Sequence, residues 1–164
     1  MNLFRGLVAG ALAGLAASWV MERFQEQWMV REGNAGQTPG NLGALGAEPA
    51  TMRAADAVAQ AVTGKPVPAQ RREAAGEAVH YLTGASVGGA YGVLAEIAPG
   101  PTFGLGALYG VAVALGLDEA LVPALGLSKP ARQVPPSEHA YNLASHLIYG
   151  VTLEGARRVL RALI

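Results

Sequence analysis

The sequence predicts an all-α membrane protein, with about four short transmembrane helices held together by close glycine contacts. Three observations carry this. Charged residues make up 15% of the 164-residue chain, against about 25% in an ordinary soluble domain, so little charge is available to cover a soluble surface. The charges also cluster, leaving four long apolar runs. In three of these runs small residues recur at every fourth position, a spacing that lets helix backbones approach one another in a bilayer.

The length suits one domain, here a single helical membrane domain over 1–164. Formal net charge is zero, which gives no footprint for nucleic acid. The absence of cysteine excludes disulfides, thiolate metal sites and cysteine nucleophiles. No cofactor is implied.

The first span is expected at about 4–21, around GLVAGALAGLAASWVM. Its basic start and apolar run also fit a signal peptide. The run nevertheless leads without a break into SWVMERFQEQWMV, where Val20, Phe24 and Trp28 recur every four residues. A retained span that leaves the bilayer as an amphipathic helix is therefore expected. Trp19 and Trp28 suit the membrane interface.

Residues 22–77 differ in character. Gly33 to Pro49 has the Gly, Pro and Asn density of a loop. Thr51 is expected to cap a short amphipathic helix with Met52, Ala55, Ala59 and Val62 on one face, stopped by Gly64 and Pro66. QRREAAGEAV then leads into the second span, at about 78–96. The third follows at about 102–118 and the fourth at about 139–156. All four sit at or below the low end of the roughly 17–25 residues that cross a hydrocarbon core. The arginines on the two sides oppose one another, so orientation stays open.

The expected packing positions are Gly6, Gly10, Gly14 and Ser18 in the first span, Gly84, Gly88 and Gly92 in the second, and Gly106 and Gly110 in the third. Glycine costs about 1 kcal/mol in a helix in water. Its repetition therefore points to helix–helix approach, within one chain or between copies.

GASVG, from Gly84 to Gly88, also matches the G-x-S-x-G of a nucleophile elbow. An elbow needs a strand before its serine, and EAAGEAVHYL reads as helix. Ser86 is expected to be one more small residue on a close-packed helix, able to hydrogen-bond back to its own backbone, with an intramembrane serine hydrolase as a distant alternative. Phosphate and dinucleotide loops are missing: Gly64-Lys65 is followed by proline, and GLGALYG lacks the required spacing.

The polar candidates lie in and around the last span. His139, Asn142, His146 and Tyr149 step by three or four residues and share one helix face. They fit a proton relay or interhelical hydrogen bonds that set register. A single metal between His139 and His146 is excluded, because seven residues rise about 10.5 Å. Four carboxylates, Glu96, Asp118, Glu119 and Glu154, fall at span ends, where solvation is the ordinary expectation. Glu96 and Glu154 are the stronger candidates because apolar residues continue past them. Paired with Arg157 or Arg158 they would form a structural clasp; unpaired, proton or cation sites. His80 is expected at the interface.

GLVAGALAGLAASWVMERF and PSEHAYNLASHLIYG, with the long loop after the first span, resemble the YagU-like family of small bacterial inner-membrane proteins. The resemblance implies a polytopic protein of the inner (cytoplasmic) membrane and carries no catalytic residue. Two functions follow as expectations. One is a structural or accessory membrane component, a homo-oligomer or part of a larger membrane assembly. The other is a small proton- or cation-conducting channel or transporter, or a pH-responsive element. In both, the lipid bilayer is the first partner.

Overall fold

The structure is a computed structural model and describes residues 2–31, 48–98 and 100–164. The described residues are helical and contain no strand. Five helices organise them: α1 (Leu3–Arg31), α2 (Ala50–Thr63), α3 (Arg72–Ile97), α4 (107–124) and α5 (Pro136–Leu163). Most of the loop expected from Gly33 to Pro49 lies outside the described residues.

Each boundary has a local cause. Asn2 caps α1, its Oδ1 accepting from the Arg5 N–H at 3.1 Å. Gly64 ends α2 in the left-handed region, with its N–H on the Gln60 carbonyl. Thr51 is not the cap of α2: it lies inside the helix, Pro49 holds the cap position, and no side chain bonds there. Val62 also departs from the expected packed face and is exposed. Pro135 and Pro136 start α5, where a missing N–H costs nothing.

The third run differs from its expected bounds of 102–118. Residues Gly100–Gly106 form a 3₁₀ segment broken at Phe103, Gly104 and Leu105, and the regular helix starts at Ala107. Gly106 requires glycine twice over. Its φ is +82°, and a Cβ there would come within 3.0 Å of the Glu154 Cβ and closer still to the Gly150 carbonyl. Beyond Val113 the chain continues as a π-helix, Ala114–Leu121, then one α turn, Val122–Ala124. Gly126 closes it: Leu127 N–H bonds the Val122 carbonyl and Gly126 N–H that of Pro123, a Schellman arrangement. Asp118 and Glu119 therefore lie inside α4 and not past its end.

The long helices run antiparallel in chain order. Small residues form the inner stripe of α1: Gly6, Ala9, Gly10, Ala13, Gly14, Ala17 and Ser18 are all buried. The facing stripe of α3 contains Gly84, Gly88 and Gly92. A Cβ on Gly88 would lie 2.7 Å from the Gly14 Cα, and one on Gly92 2.9 Å from the Gly10 Cα. The α4–α5 pair repeats the device. A Cβ on Gly110 would sit 3.0 Å from the His146 carbonyl carbon, and one on Gly150 3.0 Å from the Gly110 nitrogen. Gly150 is a packing glycine that repeat-reading missed, because no glycine stands four residues from it in its span.

Between these seams, Ala13, Ala17, Met21, Tyr91, Tyr149 and Leu153 form the core. Tyrosine hydroxyls cross-link the helices at otherwise bonded carbonyls: Tyr149 donates to Gly84 at 2.7 Å and Tyr109 to Val87 at 2.9 Å. Small residues line the helix seams, and many large apolar side chains face outward. Leu12, Leu15 and Trp19 on α1, Leu82 on α3, Leu108 and Leu115 on α4 and Val151 on α5 are all exposed. Two segments, Leu3–Arg31 and Gly100–Ala124, are long and apolar enough to cross a membrane.

Candidate functional site

The described polar side chains gather at the two ends of the bundle. The end carrying both termini holds a charged clasp. Glu154, fully buried on α5, accepts from the Tyr91 hydroxyl at 2.8 Å, from Arg157 Nε at 2.7 Å and from Arg158 Nε at 2.6 Å. Arg157 also lies over the Tyr91 ring, 5.8 Å from its centroid, within cation–π range. Glu96 at the end of α3 accepts from Arg161 Nε at 2.6 Å and from the Asn2 backbone N–H at 2.9 Å. The bond from Glu96 holds the Arg161 guanidinium above its ordinary pKa. Both carboxylates are paired, and the partner of Glu96 is Arg161, not Arg157 or Arg158.

The opposite end carries Asp118, Glu119, His80, His139 and His146. His139 lies 2.8 Å through Nδ1 from Glu119 Oε1 and 3.1 Å through Nε2 from the Ala131 carbonyl, tying the entry of α5 to α4. Deeper in, His146 Nδ1 lies 3.0 Å from the Asn142 carbonyl. Its Nε2 faces Asp118 Oδ2 at 3.6 Å. Asp118 is 8% exposed and His146 5%. Both line a cavity of about 210 Å³, together with Ser18, His80 and mainly apolar residues. The π-helical turn carries Asp118 into this interior. Such local widening recurs at functional sites.

The sequence-derived candidates therefore do not form one site. His139 pairs with Glu119, His146 faces Asp118, and Tyr149 bonds the Gly84 carbonyl. Asn142 is buried with its Nδ2 unbonded. Glu96 and Glu154 belong to the distant clasp. His146 and Glu154 are eight residues apart on α5, about 12 Å along its axis. Ordinary solvation does not describe the four carboxylates: all are bonded or buried. Sequence reasoning ranked Asp118 below Glu96 and Glu154 because an apolar run stops at it. The available signal was Leu121-Val122-Pro123-Ala124-Leu125, which resumes the run three residues later. His80 lines the cavity and approaches the Ser18 carbonyl at 3.4 Å through Nε2.

Away from the bundle ends, Asp56 and Glu48 pair with Arg72, joining α2 to the start of α3. The Asp56 bond leads in holding the Arg72 pKa above its ordinary value. Ser86 is exposed and donates to the Leu82 carbonyl at 2.7 Å. With a helix before it and no base bonded to it, the expected result of fluorophosphonate treatment is an unlabelled Ser86. Mass spectrometry of the Ser86 peptide reads this directly. Among the described residues, no group of three or more His, Asp or Glu side chains can hold a metal ion.

A family model described as "Protein of unknown function (DUF1440)" matches residues 59–155, more than half of the chain. The chain belongs to the DUF1440 family. The matched part of this DUF1440 protein runs from within α2 to Gly155 in α5. It contains Glu96, Asp118, His139, His146 and Glu154, while α1 and the arginines of the clasp fall outside it. No curated protein and no solved structure matches the chain.

Proposed function

We propose that this DUF1440 protein is a multi-pass integral protein of the bacterial inner membrane, with α1, α3, α4 and α5 as four antiparallel spans and a structural or accessory role. One observation carries this reading: a charge-free middle layer whose outward side chains are largely apolar and large, while glycine and alanine line the seams between its helices. A soluble bundle carries polar and charged side chains on its outer faces, and exposed apolar surface on this scale marks contact with lipid or protein. The resemblance to YagU-like inner-membrane proteins supports the same placement. The glycine seams are occupied within the chain, so a homo-oligomer or larger assembly would meet through leucine-rich outer faces.

The absence of cysteine makes topology directly testable. Single cysteines replace Asn2, Lys65 and Gln133, and a membrane-impermeant maleimide is applied from one side of sealed vesicles. Four spans place positions 65 and 133 together, opposite position 2. If only Leu3–Arg31 and Gly100–Ala124 cross, position 133 labels with position 2, and the four-span arrangement fails.

A second reading, proton or cation conduction, is favoured by the approach of His146 to Asp118. Against it stand the pairing of Glu96 and Glu154 and the packed layer of Ala13, Ala17, Tyr91, Tyr149 and Leu153 between the two polar ends. The expected result in vesicles with an imposed proton gradient is flux at the empty-vesicle level. Flux above that level, abolished by His146→Ala, would replace the structural reading with the conducting one.

A further inference from the structure

We propose that the cavity between the long helices, on the side away from the termini, binds a small organic ammonium ion with an apolar body. Asp118 takes the charge, and His146 Nε2 accepts one of its N–H groups. This goes beyond the membrane reading and holds whether the chain crosses twice or four times.

Proton accounting carries the inference. The Asn142 backbone carbonyl can only accept, so the bond at 3.0 Å assigns a hydrogen to His146 Nδ1. Its Nε2 faces Asp118 Oδ2 at 3.6 Å, too far apart for a hydrogen bond. His80, also in the lining, turns Nε2 toward the Ser18 carbonyl and donates there. The cavity therefore offers a buried carboxylate and an imidazole nitrogen; Thr51 and Thr83 add hydroxyls, and no lysine or arginine is among the described residues that line it.

A buried carboxylate without a cationic partner is costly. The complementary group carries positive charge and several N–H bonds, as an ammonium does. The rest of the lining asks for an apolar body: Met21, Val79, Val87, Val113, Leu117 and Leu121 surround the polar groups. At about 210 Å³ the space is smaller than the roughly 300–1,000 Å³ of pockets for drug-sized ligands, so the ligand is small. Anions are repelled by Asp118, and a neutral apolar molecule leaves the carboxylate unpaired.

The test titrates the full chain, purified in a nonionic detergent, with cyclohexylammonium, and in parallel with cyclohexanol and cyclohexanecarboxylate, by calorimetry. Cyclohexylammonium is expected to bind saturably at one site. Cyclohexanol should bind at least about tenfold more weakly, for want of the charge-assisted bonds, and the carboxylate should not bind. Asp118→Asn keeps the shape and should weaken ammonium binding by at least about tenfold. Val113→Phe keeps the carboxylate, fills the space and should remove binding. Circular dichroism and elution volume establish that each variant is folded, and the comparison of the three ring compounds needs no variant. Equal binding of cyclohexylammonium and cyclohexanol to the wild-type chain overturns the proposal. Ammonium binding unchanged in folded Asp118→Asn or Val113→Phe does the same, and would mean that Asp118 and His146 satisfy each other by sharing a proton.

Discussion

Gly88→Leu is expected to separate α1 from α3. Even the first added carbon would stand 2.7 Å from the Gly14 Cα and closer to the Gly10 carbonyl. Those neighbours are backbone, so no side chain can rotate away, and the helices must move apart along the whole seam. Overpacking an ordinary core costs about 1–3 kcal/mol. Here the expected loss is roughly 3 kcal/mol or more, because the displaced seam also loses its dispersion contacts. Thermal or SDS unfolding in detergent measures it. Gly155→Ala is the control: nothing lies within 4 Å of an added Cβ there, and alanine favours helix over glycine. That variant should be neutral or slightly stabilised. Equal behaviour of the two variants would refute close packing at Gly88.

Glu154→Leu is expected to be as damaging for an electrostatic reason. The substitution leaves Arg157, 9% exposed, as a buried cation beside a Tyr91 hydroxyl that has lost its acceptor. Removing one partner of a buried pair costs about 3–5 kcal/mol, whereas replacing both partners by apolar groups is often neutral. The double variant Glu154→Leu/Arg157→Leu should therefore recover much of the loss. Arg158 needs no replacement, since its side chain is 55% exposed and can turn to solvent. Unfolding midpoints of the two single variants and the double form a cycle. A double variant no more stable than Glu154→Leu alone would show that the clasp does not hold the bundle through this pair.

Much of the fold can be read from spacing. A four-residue step of small residues defines a helix face without knowledge of its partner, and Gly6, Gly10 and Gly14 do so in α1 as Gly84, Gly88 and Gly92 do in α3. Gly150 escapes this reading because no second glycine accompanies it in register, although it opposes Gly106 and Gly110. Thr51 escapes it in another way: threonine suits a cap, but Pro49 already supplies the extended entry to α2. The polar sites are harder still. Glu96 and Arg161 are 65 residues apart, and the meeting of α3 with α5 pairs them.

Asp118 illustrates the limit most clearly. Hydropathy along the chain changes sign at Asp118-Glu119 and reads as the end of a span. Helix continuity depends instead on backbone hydrogen bonds, which persist through the π turn as far as Ala124. The turn brings one carboxylate to His146 and its neighbour to His139. By itself, the sequence determined the helical class, the apolar middle layer and the glycine faces, because these follow from local periodicity and composition. Tertiary packing alone decided which acid is clasped and which is buried facing a cavity. Charge partners and burial belong to pairs of helices, and no single stretch of chain contains them.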